Sequence, residues 1–186
     1  RAVELGAVYN IPILVASSFR DVPGTLIHGG SEMVEQRNKV SGIAYDPDVA
    51  KVTIRAVPDR PGIAATLFEP LAEAGINVDT IVQNAGAEKI ADLTFTVTRG
   101  DLEKAIELVR PIAQQVSAGE LVSDSNLAKV SIVGAGMQSA PGFAARMFRA
   151  LYEEGINIEM ISTSEIRITC IINESQVADA VRALHK

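Results

Sequence analysis

Asp59-Arg60-Pro61-Gly62-Ile63-Ala64, an apolar helical stretch carrying Leu67, Phe68 and Leu71, and then Gly75-Ile76-Asn77-Val78 make up one unit of this chain. Eighty positions later the chain reads Ser139-Ala140-Pro141-Gly142-Phe143-Ala144, then Met147, Phe148 and Leu151, then Gly155-Ile156-Asn157-Ile158. Pro61 and Pro141, Phe68 and Phe148, and Asn77 and Asn157 keep the same spacing, so the two copies align without a gap. A supersecondary unit made twice is implied, and the fold follows from what surrounds each copy.

Around the first copy the pattern predicts a strand over 50–57, a helix over 62–74, strands over 77–84 and 90–98, a helix over 101–116 and a strand over 119–124. Pro61 suits a first helical turn, and Gly75 suits a left-handed helix exit. Asp101 is a candidate cap for a helix whose Leu102, Ala105, Ile106 and Val109 share one face, while Pro111 predicts a kink or an early end. Around the second copy the reading is strand 128–134, helix 141–154, strands 157–163 and 166–173, and helix 175–185. The first unit is therefore βαββαβ, and the second lacks its sixth strand. A strand over 40–45, closed by the turn residues Asp46-Pro47-Asp48, can supply it. The expected fold class is α+β: two ferredoxin-like βαββαβ units, antiparallel sheets with helices on one face, the first unit inserted in the second. The opposite sheet face calls for a cover, which pairing of sheets or dimerisation would provide.

Residues 1–9 carry Val3, Leu5 and Val8 at helical spacing, with Asn10 as a stop, and Ile11 to Ala16 read as a buried strand before a turn at Pro23-Gly24. They are expected to be the last helix and strand of an upstream domain. The chain begins at Arg1 without an initiator Met or a signal-like segment, which suits a piece of a longer protein. The expected organisation is 1–28 as that upstream tail, 29–39 as a linker, 49–126 as the first unit, and 40–46 plus 127–186 as the second.

A formal charge of −6 with a pI near 5.0 argues against nucleic-acid and anionic-membrane partners. No apolar run approaches the roughly 20 residues that cross a bilayer. A single cysteine, Cys170, excludes an internal disulfide and suits a reducing, cytoplasmic setting; among Ile168, Ile171 and Ile172 it reads as an inert buried thiol. His28 and His185 stand too far apart in the sequence to suggest a metal site, and no nucleophile with a base and an orienting acid stands out.

The strongest candidate site is the corner between the first strand and first helix of each unit. A helix N-terminus presents free amides and partial positive charge to a carboxylate, Gly62 admits a ligand close to the backbone, and Asp59 can meet an ammonium. Those groups together describe an α-amino acid. The plainer alternative makes Asp59 a helix cap and Pro61-Gly62 a turn; repetition of the corner favours the first reading. Gly134-Ala135-Gly136 followed by Gly142 is a weak phosphate-loop signal, because the spacing departs from the dinucleotide fingerprint. Ser162-Thr163-Ser164-Glu165 suits a β-turn, a ligand-facing loop, or both.

Asp59-Arg60-Pro61-Gly62, Gly75-Ile76-Asn77-Val78-Asp79 with Gln83-Asn84, Val133-Gly134-Ala135-Gly136-Met137, and the run Asn157-Ile158-Glu159-Met160-Ile161-Ser162-Thr163-Ser164-Glu165-Ile166 closely resemble the paired ACT domains of bacterial aspartate kinase. The likeness extends to Pro12 through Phe19 with Pro23-Gly24-Thr25, which resemble the end of that family's kinase domain. The resemblance implies a regulatory, non-catalytic part of an enzyme that phosphorylates the carboxyl group of L-aspartate. ATP and Mg would belong to the catalytic part, with no cofactor here. It also implies L-threonine as effector, L-lysine as a second candidate, homodimerisation through the ACT domains, and a catalytic kinase subunit or domain as partner. Carried over by position, Asp59, Gly62, Ile63, Ala64 and Gln83 would hold threonine, completed by Asn157 and Ile158. A second site would use Ser139, Gly142, Ser164 and Glu165; Ser139 stands where the first unit has Asp59 and Thr163 where it has Gln83, so that site should be weaker, vacant or tuned to another effector. Met33 is a candidate internal start for a separate regulatory subunit. The alternative function is a structural ACT dimerisation module that binds no effector.

Overall fold

The computed structural model describes residues 2–20, 22–28, 40–85, 89–134, 137 and 141–185. Met33, Gly136 and Ser139 lie outside the described residues, as does the expected linker over 29–39. The chain runs α1 (Ala2–Val8), β1 (Ile13–Val15), β2 (Thr25–Ile27), β3 (Gly42–Pro58), α2 (Ile63–Glu73), β4 (Ile81–Ala85), β5 (Ile90–Val97), α3 (Leu102–Gln115), β6 (Leu121–Val133), α4 (Phe143–Glu153), β7 (Met160–Thr163), β8 (Arg167–Asn173) and α5 (Val177–Leu184). β1 and β2 form a two-stranded antiparallel ladder, and the other strands make one antiparallel sheet in the order β4-β5-β3-β6-β8-β7.

The expected strands over 40–45 and 50–57 are one strand of 17 residues, and those over 119–124 and 128–134 are one strand of 13. β3 and β6 pair along their lengths, Gly42 opposite Val133 at one end and Ile54 opposite Leu121 at the other. Asp46-Pro47-Asp48 does not end a strand. The Asp48 amide donates to Asp46 Oδ1 at 2.9 Å, and the register slips between Asp46 and Val49. β6 answers with the same device, the Asn126 amide donating to Asp124 Oδ1 at 2.9 Å, with a second slip between Val49 and Lys51. The extra residues fall on opposite strands and cancel, so the ladder continues as a pair of β-bulges where two separate strands were expected.

The two long strands join the units. β5 pairs with the Ala50 to Pro58 part of β3, whereas β8 pairs with the Leu127 to Val133 part of β6. The Gly42 to Asp46 part of β3 pairs with Lys129 to Val133 and so provides the strand that the second unit's own sequence lacks. α2 and α3 cover a core of Val52, Ile54, Leu67, Leu71, Leu93, Phe95 and Val109, with the rings of Phe68 and Phe95 edge to face at 5.3 Å. α4 and α5 cover a second core containing Val130, Ile132, Met147, Leu151, Cys170 and Ile172. Matched hydroxyl pairs recur in the two halves of the six-stranded sheet, Thr53 with Thr94 at 3.0 Å and Ser131 with Thr169 at 2.8 Å.

Local expectations fail where tertiary packing outweighs propensity. α3 runs through Pro111 to Gln115, because Ala105, Val109 and Ala113 are buried on one face and offset the lost main-chain bond. Asp101 makes no side-chain cap to α3; Thr98 accepts from the Asp101 amide and initiates a 3-10 turn that leads into the helix. Residues 77–80 are not strand, although Thr96 still bonds main-chain groups of Asp79 and Thr80. The segment over Ile11 to Ala16 is not a buried strand: Leu14 is 65% and Val15 54% exposed, since a two-stranded ladder has no second layer to bury them.

Candidate functional site

A β-bulge just before the first corner re-aims the chain. Between Ile54 and Val57 the β3–β5 register slips, Ala56 adopts φ 50°, and its amide donates to Asp92 Oδ1 at 2.9 Å. Asp59 follows, its amide bonded to the Lys89 carbonyl at 2.7 Å. Gly62 is the residue before α2, with φ 88°. A Cβ placed on it would meet nothing within 4 Å, so glycine is needed there for its backbone angle and not for space.

Asp59 does not cap α2. The helix has no side-chain cap; the Asp59 carboxylate instead accepts from Gln83 Nε2 on β4 at 3.4 Å, both residues being exposed. This brings together Asp59, Gly62 and Gln83, residues separated by up to 24 positions in the chain. Ile63 is buried and offers only backbone, while Ala64 is exposed on the first turn, where amides lack partners within the helix. A carboxylate, an amide side chain and a helix N-terminus around one open corner can meet an ammonium and a carboxylate of the same small molecule.

Asn157 and Ile158 stand elsewhere. Asn157 Nδ2 donates to Glu159 Oε1 at 3.0 Å, and Glu159 Oε2 is 3.1 Å from Lys51 Nζ on β3. Lys51 stands within β3, eight residues before Asp59, which follows the strand's end; at the usual rise that is at most about 25 Å. Within one chain the two parts of the expected site do not meet, and a pocket using both needs a second copy. Of the second group, Gly142 repeats the left-handed corner at φ 99°, and the Ser164 amide closes the β7–β8 turn on the Arg167 carbonyl at 2.7 Å. Gly134 is drawn to that turn, its amide bonding the Ile166 carbonyl at 2.8 Å. Glu165 is exposed beside it.

Sequence reasoning missed the charged groups at the bulges. Lys51 reaches Glu159, and Lys129 pairs with Asp79, so each unit's lysine meets the acid that follows the other unit's Gly-Ile-Asn. The signal was present in duplicate, as Ala50-Lys51-Val52-Thr53-Ile54 against Ala128-Lys129-Val130-Ser131-Ile132, and Asn77-Val78-Asp79 against Asn157-Ile158-Glu159. Between these pairs Val49, Leu127 and Ile171 form a small buried cluster against Met160. The hydrogen bond from Lys129 holds the Asp79 carboxyl below its ordinary range; desolvation opposes this, and the charges of Lys129 and Arg167 reinforce it. A cleft of about 510 Å³ beside this pair is lined by Asp46, Asp79, Lys129, Ser131, Ser164 and Arg167, among others. Burial pushes the Cys170 thiol up to about 12. Among the described residues no cluster of His, Cys, Asp and Glu could hold a metal ion, and no helix is long and apolar enough to cross a membrane.

Residues 52–114 and 130–186 each match the ACT domain family. The regulatory subunit of aspartate kinase from Thermus thermophilus, in its ligand-free form, superposes with a TM-score of 0.75 at 41% identity, over 80% of this chain and 97% of that one. The chain belongs to the aspartokinase family, as its regulatory region of two ACT domains. A structure of aspartokinase alpha and beta subunits matches this regulatory region with a TM-score of 0.73 at 44% identity, over 78% of this chain and 96% of that one. An aspartate kinase of Stutzerimonas stutzeri (strain A1501) is 48% identical over 185 residues, which are all of this chain and 45% of that enzyme. The aspartokinase regulatory region thus spans somewhat under half the length of the curated relatives it matches.

Proposed function

We propose that this chain is the amino-acid-sensing part of an aspartate kinase, binding L-threonine, with L-lysine as a second candidate effector, for feedback inhibition of aspartate-family amino-acid synthesis. The observation that carries this reading is the Asp59 carboxylate, which is free of any capping duty and stands with Gln83 at the mouth of α2 behind a left-handed Gly62. The ammonium of threonine would meet Asp59 and its carboxylate the first-turn amides of α2. Asn157 and Ile158 of a second copy would close the pocket, since within one chain they lie beside Lys51, far along β3.

The partner that threonine regulates is the catalytic part of the enzyme, a domain or subunit that moves a phosphoryl group from ATP, with Mg, to the carboxyl group of L-aspartate in the cytoplasm. The solved aspartokinase of alpha and beta subunits supports that association. Inhibition then needs only that threonine bind one arrangement of the paired domains better than another. A tenfold difference corresponds to about 1.4 kcal/mol, within reach of a few charge-assisted hydrogen bonds.

Titration calorimetry of the chain with L-threonine and L-lysine is the test. Saturable threonine binding that Asp59→Ala abolishes is the expected result; wild-type affinity in that variant would refute the site. The second reading, a dimerisation module without an effector, draws on the two terminal strands of the sheet, β4 and β7, whose Ile81 and Ile161 are 53% and 45% exposed. A dimer in sedimentation, with no heat and no thermal shift from either amino acid, would favour it.

A further inference from the structure

We infer that Glu159 and Lys51 form a positioning pair for the effector pocket and join the two pockets of a paired assembly through β3. This rests on the reading that Asn157 closes a threonine site. The two carboxylate oxygens of Glu159 are divided between two tasks: Oε1 accepts from the Asn157 side-chain amide at 3.0 Å, and Oε2 accepts from Lys51 Nζ at 3.1 Å. The Glu159 amide is itself fixed to the Ile171 carbonyl at 2.8 Å, so the acid has little freedom to follow Asn157 elsewhere. Lys51 is buried to the extent that only 20% of its side chain is exposed, which keeps its ammonium aimed at this one carboxylate.

The consequence follows from where Lys51 stands. It belongs to the first unit and to the same strand that ends at the Asp59 corner. In a pair of copies, each β3 therefore touches one pocket through Asp59 and the other through Lys51, Glu159 and Asn157. Ordering Asn157 around a ligand is felt by the strand that carries the opposite corner, and binding at one pocket favours binding at its partner. Lys129 and Asp79 form the matching pair in the other direction, but neither reaches Asn157 in the described contacts.

The test is L-threonine titration calorimetry on the wild-type chain and on Asp59→Asn, Glu159→Ala, Glu159→Gln, Lys51→Met and Lys129→Met, each checked by circular dichroism and thermal melting. Glu159→Ala should weaken threonine binding by about tenfold, the worth of one well-placed hydrogen bond. Glu159→Gln should restore affinity to within about twofold, because its carbonyl still accepts from Asn157, yet flatten the cooperativity between sites along with Lys51→Met. Lys129→Met should lower the melting temperature and leave affinity and cooperativity unchanged, which separates positioning from stability. Binding that is intact in wild type, lost in Asp59→Asn, and unaltered in Glu159→Ala and Lys51→Met would overturn the inference and leave the threonine reading standing. No binding in wild type would overturn both.

Discussion

Arg99 ties the two ACT domains together, and its replacement by methionine gives a sharp test of how the junction is held. Its main-chain amide donates to Asp48 Oδ1 at 2.9 Å, a bond that the substitution keeps. Its guanidinium is lost, and with it a bond from Nη2 to the Leu127 carbonyl at 2.8 Å and a forked pair with Glu174, Nη1 to Oε1 at 3.1 Å and Nη2 to Oε2 at 2.8 Å. A charged donor to a shielded carbonyl is worth roughly 1.5–3 kcal/mol, and a partly exposed ion pair about 0.5–1 kcal/mol. Arg99 Nε is buried without a partner among the described residues. Removing it recovers about 1 kcal/mol. The net loss is about 2 kcal/mol, or about 5 °C in Tm for a chain of this size. Urea unfolding followed by circular dichroism measures it, and Glu174→Gln with the double variant isolates the ion pair from the Leu127 bond. Because Arg99 follows the first unit's β5 and Glu174 the second unit's β8, the variant should also broaden the transition as the two units come apart separately. A loss below about 0.5 kcal/mol with an unchanged m-value would refute the assignment of the junction to this residue.

Two further outcomes follow from the buried and paired groups. Asp79 is held below its ordinary pKa chiefly by the Lys129 hydrogen bond, so its contribution is present above the unfolded value near 4 and is lost as pH falls through the lower folded value. Wild type should exceed Asp79→Asn by about 0.5–1 kcal/mol at neutral pH and converge with it in strong acid; a gap that persists to pH 2 would contradict this. Cys170 is fully buried with its thiol pushed up to about 12, so a thiol reagent at neutral pH should label it only at the rate of global opening. Stoichiometric labelling of the native protein within the mixing time would show the packing to be otherwise.

The repeat itself and its helices were legible because their causes are local. Pro61-Gly62 and Pro141-Gly142 open helices, Gly75 and Gly155 close them with positive φ, and the apolar spacing of Leu67 and Leu71, or Met147 and Leu151, marks the buried face. The need for a borrowed strand was also visible by counting elements, and the pairing of Gly42 to Asp46 with Lys129 to Val133 answers it. What sequence reading could not separate was a turn from a bulge at Asp46-Pro47-Asp48. The same Asx geometry serves both, and only the facing strand, with its own Asp124–Asn126 device, decides that the ladder continues.

The candidate corner at Asp59 divides in the same way. Residue types alone nominated Asp59 and Gly62, whereas Gln83, Asn157 and Ile158 were implied only by the resemblance to the ACT domains of aspartate kinase. That Asp59 turns to Gln83 and not to the helix it precedes depends on a bulge at Ala56 and on β4 lying beside β5. That Asn157 sits with Glu159 beside Lys51, eight residues back along the chain from Asp59, follows from β3 running on through both units. Composition, periodicity and the duplicated corner thus determined two repeated α+β units and the chemistry they can present, since those depend on nearest neighbours along the chain. Which carboxylate is spoken for and which lysine crosses to the other unit were decided by pairing between strands that are distant in the chain, which leaves no local mark.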